Sequence, residues 1–103
     1  MPHKYTKIVL DSAGVSDWVK IDEYNTTCNM SLNLVIDATV AKASVEMSIS
    51  PELNDINIFS HELLTDVTES RPSTINYPIS YIRLNVKRCN FGKVTLELRE
   101  VSS

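Results

Sequence analysis

The chain has 103 residues, 43% of them hydrophobic and 22% charged, with a formal net charge of −3. These proportions suit one globular domain over residues 1–103, large enough to bury its own core, and exclude a disordered chain, a coiled coil or a collagen-like repeat. A mildly acidic balance without a basic stripe argues against a nucleic-acid binder or an anionic-membrane binder.

From the N-terminus, the polar stretch Met1–Lys7 is expected to form an arm (residues 1–7), overlapping a first strand over Tyr5–Leu10. The longest aliphatic runs, Ile8-Val9-Leu10 and Leu34-Val35-Ile36, fall far short of the roughly 20 residues that span a bilayer. No secretory leader is expected, so Cys28 and Cys89 are read as free thiols of a reducing compartment. Asp11-Ser12-Ala13-Gly14 is a turn cluster, and Trp18–Asp22 a short strand.

Alternation is the strongest signal in the chain. Met30, Leu32, Leu34 and Ile36 share one phase, and Ala41, Ala43, Val45, Met47 and Ile49 share another, with Lys42, Ser44, Glu46 and Ser48 between them. A face that alternates apolar and polar at every second residue is a half-buried strand, not an amphipathic helix. The change of phase places a tight turn at Asp37-Ala38-Thr39 and a hairpin around it. Ser50–Asp55, with Pro51 after a serine cap, predicts one helical turn. Ile56–Phe59 is a short strand or loop, Ser60–Asp66 another turn of helix, and Thr65–Tyr77 (residues 65–77) a long loop.

The C-terminal third predicts a second hairpin. Ile82, Leu84 and Val86 alternate with Arg83, Asn85 and Lys87; Val94, Leu96 and Leu98 alternate with Lys93, Thr95, Glu97 and Arg99. Arg88–Gly92, with its Asn and Gly, reads as the turn, so that Arg83 and Lys87 would face Glu97 and Glu100. Ile79 and Tyr81 break phase with Ile82, which predicts a bulge near Ser80, and Pro78 stands where a strand begins. About seven to eight short strands with little helix give an all-β fold, a single antiparallel β-sandwich or a small barrel.

No residue set points to catalysis. The chain has two glycines and two histidines, with no CxxC, no HExxH and no phosphate-binding loop. No catalytic, metal-binding or cofactor-binding residue is assigned, and the chain is expected not to be an enzyme.

The order Trp18-Val19-Lys20-Ile21-Asp22, Val45–Ile49, Phe59-Ser60-His61, Pro78–Val86 and Val94–Leu98 resembles the small β-sandwich structural proteins of tailed bacteriophages, the capsid decoration or cement type. The resemblance runs over roughly residues 16 to 99 and departs from the pattern at the cysteine-bearing stretch after Val86 and in the segment after Ile49. It implies a jelly-roll-like sandwich made in the host cytoplasm and carried on the capsid surface of the virion. It also implies no enzymatic activity, assembly as dimers or trimers, and the major capsid protein or another virion protein as partner. Aromatic and arginine side chains concentrate at protein interfaces, which makes Tyr5, Tyr24, Arg71 and Tyr77 the candidate contacts. Trp18 and Phe59 are better placed in a core. Two other readings stay open. One is a head–tail or tail component. The other is a carbohydrate-binding module using Tyr24, Tyr77, Tyr81 and Asn76.

Overall fold

The computed structural model describes residues 3–21, 29–49, 60–75 and 79–101. The described residues form seven antiparallel strands: β1 (His3–Leu10), β2 (Gly14–Val15), β3 (Val19–Lys20), β4 (Asn29–Ser48), β5 (Ser60–Val67), β6 (Arg71–Ile75) and β7 (Tyr81–Val101). The fold class is the expected one, an all-β antiparallel sandwich-like domain.

Its frame is a ribbon of two long strands. β4 and β7 pair from Asn29↔Val101 to Ser48↔Tyr81. β1 lies along the C-terminal half of β7, and β2 and β3 lie along its N-terminal half. On the opposite edge β6 covers the N-terminal half of β4, and β5 its C-terminal half. Each half of the ribbon is thereby flanked on both sides, and both halves feed one core. Met30, Leu32, Leu34, Leu96 and Leu98 come from one half, and Ala43, Val45, Ile82, Leu84 and Val86 from the other.

Neither predicted hairpin exists. Asp37–Thr39 and Arg88–Gly92 lie within β4 and β7, and each strand runs straight through its supposed turn. The phase change that suggested the first turn has another cause. Side chains alternate strictly along a strand, so buried even positions followed by buried odd positions mean that β4 turns opposite faces to the core at its two ends. Twist accumulated along a 20-residue strand allows the ribbon to turn over in this way. β7 keeps even positions inside throughout because it carries an extra residue. Lys42 pairs with Arg88 and Ala43 with Val86, so Lys87 is bulged out of the ladder. The polar stretches read as turns are the crossing between halves, where Asp37, Thr39, Arg88, Asn90 and Lys93 are all exposed.

Other expectations change with this frame. Ser60–Asp66 is strand β5, not helix, and residues 65–77 are not one long loop, because Arg71–Ile75 forms the edge strand β6. His3–Lys7 of the expected arm belongs to β1, which residues 94–101 of β7 hold in register. Arg83 and Lys87 do not face Glu97 and Glu100, because the pairing partner of β7 at that end is β4. The break of phase near Ser80 is a bend just before β7, where the Ser80 amide donates to the Ser48 carbonyl at 2.8 Å. The segments Asp22–Cys28, Ser50–Phe59 and Asn76–Pro78 lie outside the described residues. Cys89 is a free thiol packed at the margin of the core.

Serine hydroxyls fill gaps in the ladders. Ser16 Oγ accepts from the Leu84 amide at 2.9 Å between β2 and β3, and Ser70 Oγ accepts from the Ile36 amide at 2.9 Å just before β6. Ser44 Oγ accepts from the amide of Asp66 at 3.0 Å, where the bulged β5 puts Asp66 at φ 48. An amide shielded from water and left without an acceptor costs about 1–3 kcal/mol, so Ser16 and Ser44, whose bonds are part-buried, close gaps that the strand irregularities open; the Ser70 bond is exposed.

The bulged Lys87 donates to Asp66 Oδ1 at 2.5 Å and lies 3.6 Å from Glu62 Oε1. The hydrogen bond with Lys87 lowers the pKa of Asp66, and the same bond raises that of Lys87. A lowered carboxylate contributes stability above its unfolded value, near 3.8, and loses it as pH falls through the folded value. A raised lysine contributes below its unfolded value, near 10.5, and loses it as pH rises through the folded value. D66N is therefore expected to lower the urea midpoint at neutral pH, the difference from wild type closing at the acid end and again at the strongly alkaline end. Urea titrations across pH check this, and a difference that is constant at all pH values would remove the pair from the account.

Candidate functional site

Two side-chain constellations lie on the outer surface. The first joins the stretches that carry the sequence resemblance. Arg83 Nε donates to Glu46 Oε1 at 2.5 Å, and Asn85 Nδ2 donates to Glu46 Oε2 at 3.0 Å. The guanidinium carbon of Arg83 sits 4.3 Å from the centre of the Trp18 ring. The register requires this meeting, because Glu46 is opposite Arg83 across β4 and β7, and Val19, next to Trp18, pairs with Ile82. The side chains of Arg83 and Glu46 are 22% and 13% exposed, so Glu46 is largely screened from water and its two oxygens are occupied. Trp18 is half-buried over the arginine, not inside the core. The arrangement is a clasp that ties the β3 edge and β4 to β7. E46Q is expected to lower stability by about 1–3 kcal/mol, since it strips charge from a partly buried pair. A cycle with R83M should give a coupling of about 1 kcal/mol; coupling indistinguishable from zero in urea unfolding would show the clasp to be incidental.

The second constellation covers the open face of β1, β7, β4 and β6. Cross-strand neighbours share a face, so Tyr5 stands beside Arg99, Arg99 beside Ser31, and Glu97 beside Asn33. Pro72 and Thr74 continue the rows on β6. Together they line an open depression of about 640 Å³. Tyr5 is 50% exposed, and its hydroxyl donates to Glu97 Oε2 at 2.5 Å. Asn33 Nδ2 donates to Glu97 Oε1 at 3.4 Å, a longer contact. The Arg99 guanidinium lies 5.9 Å from the Tyr5 ring centre. Hydrogen bonding to the Glu97 carboxylate raises the Tyr5 pKa, with burial and the glutamate charge adding to the effect and Arg99 opposing it. The result is a pre-ordered patch that offers an aromatic ring edge, a carboxylate, an amide and a guanidinium.

Of the four contacts expected from sequence, Tyr5 lies in this patch. Arg71 is exposed at the start of β6, next to Pro72 of the lining, and is part of an edge strand, not a loop tip. Tyr24 and Tyr77 lie outside the described residues. Tyr81, named for a sugar platform, is buried. Asn33, Glu97 and Arg99 were not singled out from sequence. Alternation had already put Glu97 and Arg99 on the wet side of their strand, but nothing in the sequence said that β1 and β4 flank it. Among the described residues no group of three or more His, Cys, Asp or Glu side chains is placed to hold a metal ion. No helix among them is long and apolar enough to cross a membrane.

The fold defines a small antiparallel β-domain with one ordered polar face. The chain matches no family model and no curated protein. Among solved structures it is similar to the IMPa metallopeptidase from Pseudomonas aeruginosa, with a TM-score of 0.50 and 13% identity over 99% of this chain and 12% of that one. That likeness is one of fold, to a small part of a much longer protein. A second match is the structure described as "Bacillus endospore appendages form a novel family of disulfide-linked pili". There the TM-score is 0.41 and the identity 12%, over 98% of this chain and 89% of that chain.

Proposed function

We propose that the chain is a non-enzymatic structural protein of a tailed-bacteriophage particle, a decoration or cement protein that binds the major capsid protein on the surface of the shell. The carrying observation is the open face of β1, β7, β4 and β6, where Tyr5 and Asn33 both donate to the Glu97 carboxylate ahead of any partner. Side chains already held in place lose little freedom on docking, which favours a protein that grips a neighbour through a stiff surface. The sequence resemblance adds the kind of neighbour, and it supports assembly as a dimer or trimer. Co-sedimentation with expanded shells stripped of this protein tests the proposal. Saturable binding that Y5A and E97A weaken is expected, whereas folded protein that binds no shell of its parent particle would overturn it.

A second reading has an observation of its own. A tyrosine, a carboxylate, an amide and an arginine around one depression are also the groups that hold sugar hydroxyls. Micromolar binding of the isolated chain to a glycan array, abolished by Y5A and absent for shells, would favour a carbohydrate-binding module.

A further inference from the structure

We infer that Phe91 is a docking knob, the side chain that enters an apolar pocket with an acidic rim on the protein to which this chain binds. The inference rests on the reading of the chain as a structural protein that grips a neighbour, and it adds a second contact away from the Tyr5 face. The observations meet at the crossing between the halves of the β4–β7 ribbon.

Phe91 is 90% exposed, so its ring gains almost nothing from the fold. Its φ is 59, a left-handed backbone that bulky residues rarely adopt. The residues on either side are Asn90 and Gly92, the types that take this conformation readily, yet the phenylalanine holds the strained position. Local strain combined with exposure marks a residue kept for contact, not for packing. The ladder passes it by: Ala38 pairs with Gly92 and Val40 with Asn90, and Phe91 falls in the gap between them. The close approach of Gly92 to Asp37 and Ala38 holds the backbone on one side. The ring is thus presented from a braced strand.

The surrounding charge says what the partner offers. Over 37–42 and 88–93 the crossing carries Lys42, Arg88 and Lys93 against Asp37, a positive surplus on a chain whose net charge is −3. Lys42 and Arg88 stand directly opposite each other and are both exposed. Like charges in that position are unfavourable by themselves; Asp66 lies close enough to Lys42 to offset part of this, and an acidic partner surface relieves the rest. Symmetric docking of a second copy through this patch would bring cation against cation, which disfavours a twofold self-contact; a head-to-tail copy is read out by sedimentation below, and the occupant is a different protein. An anionic membrane shares the charge preference, but a single ring braced on strand backbone suits a shaped pocket better than a lipid surface.

The test compares wild type, F91G, F91N and K42E/R88E, using stripped expanded shells as the probe. F91G and F91N are expected to melt at or above the wild-type temperature, because both residues suit left-handed backbone. Each should bind shells at least about 30-fold more weakly, the size expected when an interface anchor is removed. K42E/R88E should bind more weakly and with a flatter salt dependence. Wild-type affinity in both Phe91 variants would overturn the knob and leave shell binding through the Tyr5 face standing. A wild-type protein that binds no shell would overturn the underlying reading, and this partner with it. A melting temperature lowered by more than about 5 °C in both variants would show the ring packing within the fold, and would also overturn the knob. So would conversion of an oligomer to monomer by F91G in sedimentation. Phe91-dependent binding to phosphatidylcholine–phosphatidylserine vesicles in place of shells would assign the knob to a membrane and overturn the protein partner.

Discussion

Replacing Gly92 by alanine is expected to destabilise the protein by about 3 kcal/mol, at the upper end of what overpacking costs. A Cβ at that position would overlap the Asp37 carbonyl oxygen and lie 2.5 Å from the Ala38 Cα. Both are backbone atoms of the central strand β4, so relief requires the ribbon itself to open where Ala38 pairs with Gly92. For a domain of this size the melting temperature should fall by about 12–24 °C. A thermal scan decides it, and a G92A protein melting within a few degrees of wild type would mean that the two long strands approach less closely at their crossing.

Leu84→Ala should cost about 3–4 kcal/mol, within the usual range for deleting a buried leucine. Leu84 is 0% exposed, opposite Val45 in the core. Its backbone is pinned on the other side: the Ser16 amide donates to its carbonyl at 2.9 Å, and its own amide donates to Ser16 Oγ at 2.9 Å. A backbone held in this way cannot settle inward to fill the void, and poor collapse is what carries such substitutions toward the larger losses. L84A also probes the cooperativity of the fold. Leu84 and Leu34 sit in opposite halves of the ribbon but in one continuous apolar cluster. Urea unfolding followed by Trp18 fluorescence, which reports on one half, should therefore coincide with unfolding followed by circular dichroism, which reports on both. Two separate transitions in L84A would show that the halves carry independent cores.

The clasp around Glu46 gives a physical reason for the residues behind the phage-protein resemblance. Trp18, Arg83 and Asn85 come from two stretches far apart in the chain, and all three meet around one segment of β4. Their arrangement is architectural: it ties strands together.

What the sequence determined by itself is the class of structure and the identity of most core side chains. Leu32, Leu34, Val45, Leu84, Val86 and Leu96 announce themselves through period-two alternation, because a pleated strand sends every second residue to the same side and water sorts the two sides. Tyr5 stood out in the same local way, as an aromatic in polar surroundings. The tertiary structure alone decided what the interruptions meant. Asp37–Thr39 and Arg88–Gly92 have the composition of turns, yet a ribbon that turns over between two halves of one core also needs a wet stretch with a change of phase. Local composition is the same in the two cases; the difference lies in pairing β4 with β7 along their whole length, which is a long-range fact. The same holds for the Tyr5 face and for the Lys87–Asp66 pair. Which strands lie side by side depends on contacts between residues distant in the chain, and only those contacts set Asn33 beside Glu97, or Asp66 beside the bulged lysine.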